Sequence, residues 1–429
     1  MPDQLVLTRP MPSSGPVTWP GACWVGHVDS ADLPRAGQVL LDGWEGESSA
    51  RLLVRHAGRV RGFVTLPVQN GRLNAPDLAA AADQLGAGDP LPPAASQPLV
   101  TVVLCTKDRP QMLAAALASL LALDYPRWEL VVVDNAPSDD ATERYLASVD
   151  DPRVRRVLEA VPGLARARNT GVLAARGEIV AFTDDDVLVD PDWLTRLVAA
   201  FELAPAVGCV SGLVPSGELR TPTQAFFDQR VTWSDAVGRQ VFSLADPPAG
   251  TPLFPFQVGE YGTGANFALR RATIFQLGGF DEALGVGTPT GGGEDLDMFV
   301  RVILAGWALV VEPSALVWHR HRDDQQALTQ QARGYGRGLG AWLTKIATTP
   351  ATAALAARRA AVGLRRLAAV RRGSVSARSA SLDHGLPPAY VAELGRLETR
   401  AVLQGPAAYW RSRRSGNRRS PLSAVTSPR

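Results

Sequence analysis

Leu99-Val100-Thr101-Val102-Val103-Leu104-Cys105-Thr106-Lys107-Asp108-Arg109-Pro110 is the stretch that sets the fold. Its first seven residues form an almost unbroken apolar, β-branched run, as in a strand buried on both faces. A polar loop follows, and residues 110–123 have helical spacing. The alternation repeats downstream. Residues 129–133 are a strand closing on Asp134, 139–147 and 165–175 are helical, and 178–183 are a strand closing on Asp184. Apolar strands separated by helices predict an α/β fold, a mostly parallel sheet with helices on both faces. Ligands of such sheets bind beyond the carboxyl ends of the strands. Thr106, Asp134 and Asp184 stand at those ends. A single polar residue there is commonly a turn or a cap, but three in register argue for a site.

Outward from this pattern the chain divides into three. Residues 1–97 predict a small α+β unit. Residues 51–56 and 59–66 pair about a turn at Ala57-Gly58, and Asn74 caps a short helix reaching Leu85. Residues 86–97, rich in Gly, Pro and Ala, read as a linker. Residues 98–348 hold the sheet pattern. Residues 349–429 are an Arg-rich extension, helical over 351–372 and without order over 411–429. The helical part is expected to pack on the main domain, with contact to an anionic membrane surface as the alternative.

Composition sets further limits. Hydrophobic residues make up 46% of the 429 and charged ones 20%, an ordinary globular balance. A formal net charge of +2 is too small to imply a nucleic-acid partner. The three cysteines have no metal-site or disulfide spacing. No apolar run reaches the roughly 18–20 residues of a membrane span. A cytoplasmic location is expected, with peripheral contact at the inner face of the membrane through the basic tail as the alternative.

Three motifs carry chemistry. Asp184-Asp185-Asp186 puts three adjacent carboxylates at the end of a buried strand. Such a cluster suits a hard cation, Mn²⁺ or Mg²⁺, completed by substrate phosphates; a solvated helix cap is the plainer reading. Gly291-Gly292-Gly293-Glu294-Asp295 puts two acids at a helix start after flexible glycines. Acids there are good capping, and one beneath such a loop can also take a proton from a hydroxyl. His319 and His321 alternate on a strand and face one side, where an imidazole can complete a metal shell.

Taken in order, these segments resemble family 2 glycosyltransferases, inverting enzymes of the GT-A fold, over residues 98–322. The carriers are residues 102–110, Val131 to Asn135, Ala167-Arg168-Asn169-Thr170-Gly171, the Asp triplet, Gly264-Ala265-Asn266 with Arg270-Arg271, and Gly293-Glu294-Asp295. The resemblance implies donor binding by Thr106, Asp134, Arg168, Asp184 and Asp185. It implies metal ligation by Asp186 and His319, an acceptor side at Gly264 and Asn266, and Asp295 as catalytic base with Glu294 beside it. The implied donor is a UDP-, dTDP- or GDP-sugar, and the acceptor a carbohydrate, lipid-linked or small-molecule hydroxyl. Processive members carry Q-x-x-R-W. Here Gln330 and Arg333 are followed by Gly334, which points to a single transfer. A nucleotidyltransferase that makes nucleotide sugars would carry a glycine-rich basic loop after the first strand, and residues 106–109 have no glycine. A non-catalytic relative would have lost one of these acids.

Overall fold

The computed structural model describes residues 5–370, 385–415 and 422. The first part is built from six strands and one helix: β1 (Val6–Leu7), β2 (Cys23–Asp29), β3 (Gln38–Leu41), β4 (Ser49–His56), β5 (Arg59–Pro67), β6 (Arg72–Asn74) and α1 (Ala75–Asp83). They form two three-stranded sheets, β1-β3-β6 and β2-β4-β5. The β4–β5 hairpin turns at Ala57 and Gly58, both at positive φ. Asn74 accepts a hydrogen bond from the Asp77 amide and caps α1.

Strand periodicity explains how this part docks. Leu52 and Val54 of β4 fill its own core, and Leu53 between them points the other way, joining Val25 and Val60 against Leu213, Leu316 and Trp318 of the main sheet. Ion pairs of Arg51 with Asp228 and of Arg55 with Asp190 flank that apolar contact.

The main sheet begins with β7 (Val100–Thr106), α2 (Pro110–Leu121), β8 (Trp128–Asn135), α3 (Ala141–Ala147), β9 (Val154–Glu159), α4 (Leu164–Ala174) and β10 (Ile179–Asp184). Then come β11 (Val187–Val189), α5 (Trp193–Phe201), β12 (Val207–Leu213), α6 (Pro222–Arg230), β13 (Gln240–Phe242), β14 (Asn266–Arg270), α7 (Arg271–Gln276), α8 (Glu294–Leu304) and β15 (Ala308–His319). The order is β11-β15-β12-β14-β10-β7-β8-β9, with β13 paired to β15. β10, β7, β8 and β9 are parallel, while β14 runs antiparallel to both its neighbours. This is the α/β sheet expected. Val102, Leu104, Leu130 and Val132 pack on one face with α2 and α5; Val103, Val131 and Val133 pack on the other with α4 and α8. β9 went unforeseen because Val154-Arg155-Arg156-Val157-Leu158-Glu159 is an edge strand, only partly buried and without the apolar run of its neighbours.

The chain closes with α9 (Gln325–Thr348), α10 (Pro350–Val370) and α11 (Pro388–Ser415). α9 and α11 lie backbone to backbone: a Cβ on Gly336, Gly340 or Gly405 would run into the facing helix. Order therefore extends further than the composition suggested. Arg411 to Ser415 are the last turn of α11, and Leu422 is buried in the core beside Gly279. The rest of the expected disordered end lies outside the described residues. No helix among the described residues is long and apolar enough to cross a membrane.

Candidate active site

Register sets the floor of the site. Thr106 pairs with Asp134 and Asp184 with Cys105, so the ends of β7, β8 and β10 are level. Antiparallel β14 starts there, with Asn266 opposite Thr183, and Arg168 Nη2 reaches both Asp184 and the Gly264 carbonyl just before the strand. β15 ends there too, with His319 opposite Val187.

The three adjacent carboxylates separate by direction, and each meets its own cations. Asp184, about a third exposed, lies 3.7 Å from Arg168. Its pKa is pushed up to about 7 by its enclosure, with Asp186 and Asp185 opposing the pull of Arg168. Asp185 accepts from the Thr106 hydroxyl at 2.7 Å and from Arg109 at 3.3 Å; burial and then Asp186 raise its pKa. Asp186 is 3.2 Å from His319 Nε2, 3.6 Å from Arg322 and 3.8 Å from Arg109. Burial alone would raise its pKa, but these positive neighbours hold it well below the usual carboxylate range. His319 Nδ1 is 2.8 Å from Nδ1 of His321, which is buried against Phe227 and kept neutral by that burial.

Among the described residues no three of His, Cys, Asp and Glu converge on one point. Asp186 and His319 still suit a hard cation as a pair. Their 3.2 Å separation is near the ~3.0 Å between adjacent ligands of an octahedral ion with ~2.1 Å bonds, and such ions keep water and phosphate in their remaining positions.

The opposite wall is the start of α8. Gly293 stands there at φ 95°, and Glu294 and Asp295 follow in the first turn. Glu294 is buried and pairs with Arg168 at 2.9 Å. Burial and the charge of Asp295 push its pKa up to about 7 against the pull of Arg168. Asp295 is only partly buried. Its Oδ1 accepts from the Leu296 amide at 2.8 Å and its Oδ2 from the Gly264 amide at 2.9 Å. Arg168, 2% exposed, also donates to the Gly264 carbonyl at 3.0 Å. One guanidinium thus ties the triplet strand, the Gly264 turn and the Glu294-Asp295 helix together.

Not every residue inferred from the sequence faces this cleft. Asn266 is fully buried and its amide is spent on Trp193 Nε1 and the carbonyls of Leu213 and Ala315, so it is removed from the acceptor side. Arg270 sits at the far end of β14, opposite Ile179, and donates to the carbonyls of Phe201 and Val207; Arg271 follows it there. Asp134 is fully enclosed and paired with Arg156 at 2.9 Å, while its Oδ1 has no hydrogen-bond partner. A nucleotide base reaches that oxygen only if the neighbours move.

Other residues came to light only in three dimensions. Arg109 and Arg322 flank Asp186, and no spacing or motif singles them out in the sequence. Tyr335 of α9 is half exposed and lies 6.1 Å from Phe227, ring to ring. Enclosure of its hydroxyl and the charges of Asp295, Asp184 and Asp186 raise its pKa.

Comparison with known proteins identifies the family. The family model Glycosyl transferase family 2 matches residues 101–251, and Glycosyl transferase family group 2 matches residues 179–392. The chain is 32% identical over 236 residues to the succinoglycan biosynthesis protein ExoO of Rhizobium meliloti, covering 52% of this chain and 61% of the relative. It is 29% identical over 315 residues to a pre-mycofactocin glycosyltransferase of Mycobacterium tuberculosis, covering 72% of this chain and 61% of the relative. This chain therefore spans about three-fifths of either relative's length. Among solved structures it resembles the mannosyltransferase PcManGT of Pyrobaculum calidifontis in complex with GDP-Man and Mn²⁺. That likeness has 22% identity and a TM-score of 0.48, over 73% of this chain and 89% of the other.

Proposed function

Since the chain belongs to the family 2 glycosyltransferases, we propose that it transfers one sugar, with inversion, from a nucleotide-diphosphate donor to an acceptor hydroxyl. The observation that carries this reading is the convergence on Arg168. The guanidinium is 2.9 Å from Glu294, 3.7 Å from Asp184 and 3.0 Å from the Gly264 carbonyl, and the Gly264 amide holds Asp295. A carboxylate triplet fit for a donor and an acid fit for an acceptor thereby share one cleft.

Asp295 takes the proton from the acceptor hydroxyl. That oxygen forms a bond to the anomeric carbon, and the bond from that carbon to the diphosphate breaks on the opposite face. The diphosphate departs with the electron pair. Arg109 and Arg322 lie beside Asp186, where they favour the negative charge that develops. Asp186 and His319 would hold a Mn²⁺ or Mg²⁺ ion, which when bound neutralises phosphate charge. Glu294 and Arg168 position the base. They make no bond to substrate in this scheme.

The test is slow hydrolysis of a panel of UDP-, GDP- and dTDP-sugars, which needs no acceptor. One donor should be hydrolysed with Mn²⁺ and spared with chelator. Hydrolysis of none, or equal rates in chelator, counts against the donor and metal assignments.

A further inference from the structure

A cleft of about 680 Å³ opens between α9 and α11, lined by Arg333, Arg337, Arg396 and Arg400, with Glu393 as its one acid. It holds on the order of twenty water-sized groups at about 30 Å³ each. Helical spacing builds it. Arg333 and Arg337 are one turn apart on α9, Arg396 and Arg400 one turn apart on α11, and the glycine contact between the helices brings the two pairs face to face. Among the described residues none of the four guanidiniums makes an ion pair or hydrogen bond, and Arg337 Nε is buried without a partner. Four like charges held close with one acid, Glu393, among them repel one another, an arrangement that favours a bound anion. A guanidinium fork matches phosphate oxygens two at a time.

The cleft adjoins the acceptor side. Arg337 Nη2 is 3.7 Å from the point where a Gly291 Cβ would stand, and Gly292 and Gly293 pack on Gly338. Asp295 follows two residues after Gly293. Arg109 and Arg322 already serve the carboxylates on the donor side, so this second basic group faces a different part of the reaction.

We propose that this arginine cleft binds a phosphate or diphosphate group carried by the acceptor, whose hydroxyl then reaches Asp295 past the Gly291–Gly293 loop. The acceptor role rests on the transferase reading above; the anion site does not.

Calorimetry of inorganic pyrophosphate with the full chain tests the site, in chelator so that metal-dependent binding at the donor carboxylates is suppressed. Arg396→Ala/Arg400→Ala and, separately, the exposed Arg333→Ala should each weaken binding roughly tenfold or more. Donor hydrolysis should be unchanged in both, which also shows that the variants fold. No binding to the wild type, or wild-type affinity in the variants, overturns the proposal. Vesicles of phosphatidylcholine with phosphatidic acid separate the sources. Co-sedimentation that pyrophosphate competes away marks a lipid-borne phosphate, and pyrophosphate binding without co-sedimentation marks a soluble one. Should wild type hydrolyse no donor yet bind pyrophosphate through these arginines, the transferase reading fails and the anion site stands.

Discussion

At the residue scale, two neighbouring acids stand in different surroundings. Asp295 is open to the cleft and held by two backbone amides, while Glu294 is buried against Arg168. Asp295→Asn keeps the size and one of those two contacts, loses the other because its NH2 can only donate, and cannot accept a proton. Sugar transfer should fall by about 10²–10⁴-fold, with nucleotide-diphosphate affinity near wild type. Glu294→Gln should slow transfer less; a reversed ranking in steady-state kinetics means the base is misassigned. Glu294 also predicts a pH effect on stability. Its folded pKa of about 7 lies above the ordinary value of 4.5. The raised value favours the protonated folded form, so this contribution is complete below about 4.5 and is lost as pH rises through about 7. Urea unfolding at pH 5 and pH 8 should show wild type losing stability relative to Glu294→Gln over that interval; parallel curves contradict the raised pKa. Gly264 matters through space it leaves empty. A Cβ there would lie 2.7 Å from Arg168 Nη2 and 3.2 Å from Asp295 Oδ2. Gly264→Ala should displace the base and cut turnover by on the order of 10²-fold, the scale for ~1 Å misplacement. Wild-type turnover would show that the turn adjusts without moving Asp295.

At the element scale, α9 and α11 were legible to different degrees. Gln330, Arg333 and Gly334 drew attention to α9 by their departure from a processive pattern, but nothing in the sequence announced that its glycines are a packing face. α11 was missed because its surface is mostly polar and Pro406 interrupts the helical pattern. Its stability comes from close approach to α9 and from buried Leu394, Ala401, Ala408 and Tyr409. Gly340→Val should therefore destabilise the protein by ~1–3 kcal/mol or more, as overpacking does, since its Cβ meets Val402 and Gly405 backbone. Chemical denaturation measures this, and a change under about 0.5 kcal/mol would show that the helices can part without cost. The same variant should weaken pyrophosphate binding, because the arginine cleft depends on that contact.

At the scale of the whole molecule, the site is assembled from segments hundreds of residues apart. The turn after β10 carries Asp186, the end of β15 brings His319 to it, and the loop after β7 brings Arg109 to it. Donor affinity should depend on this assembly together with a divalent cation. Calorimetry with the preferred nucleoside diphosphate should show chelation and Asp186→Ala each weakening binding about tenfold or more. Asp192→Ala should leave it unchanged: that carboxylate pairs with Arg196 at 2.8 Å and makes no contact with the triplet. Equal losses at the two positions would mean that the donor site has been misplaced.

The sequence by itself determined the sheet and the order of the motifs along it. Val100 to Thr106 and Trp128 to Asn135 can bury both faces only inside a layered α/β sheet, and the polar residues ending those strands must then share one edge. Local pattern also fixed the Asn74 cap and the acid-rich start of α8, since these depend on neighbours a few residues away. Tertiary structure alone decided which polar residues face the cleft. Asn266 and Asp295 look equally functional as letters, yet one is saturated by buried carbonyls and the other is open. It alone paired Arg168 with Glu294 and set four arginines of α9 and α11 across one cleft. The physical reason is range. Propensity and periodicity act over a turn or a strand, whereas desolvation and ion pairing depend on every group within a few ångströms, wherever it lies in the chain.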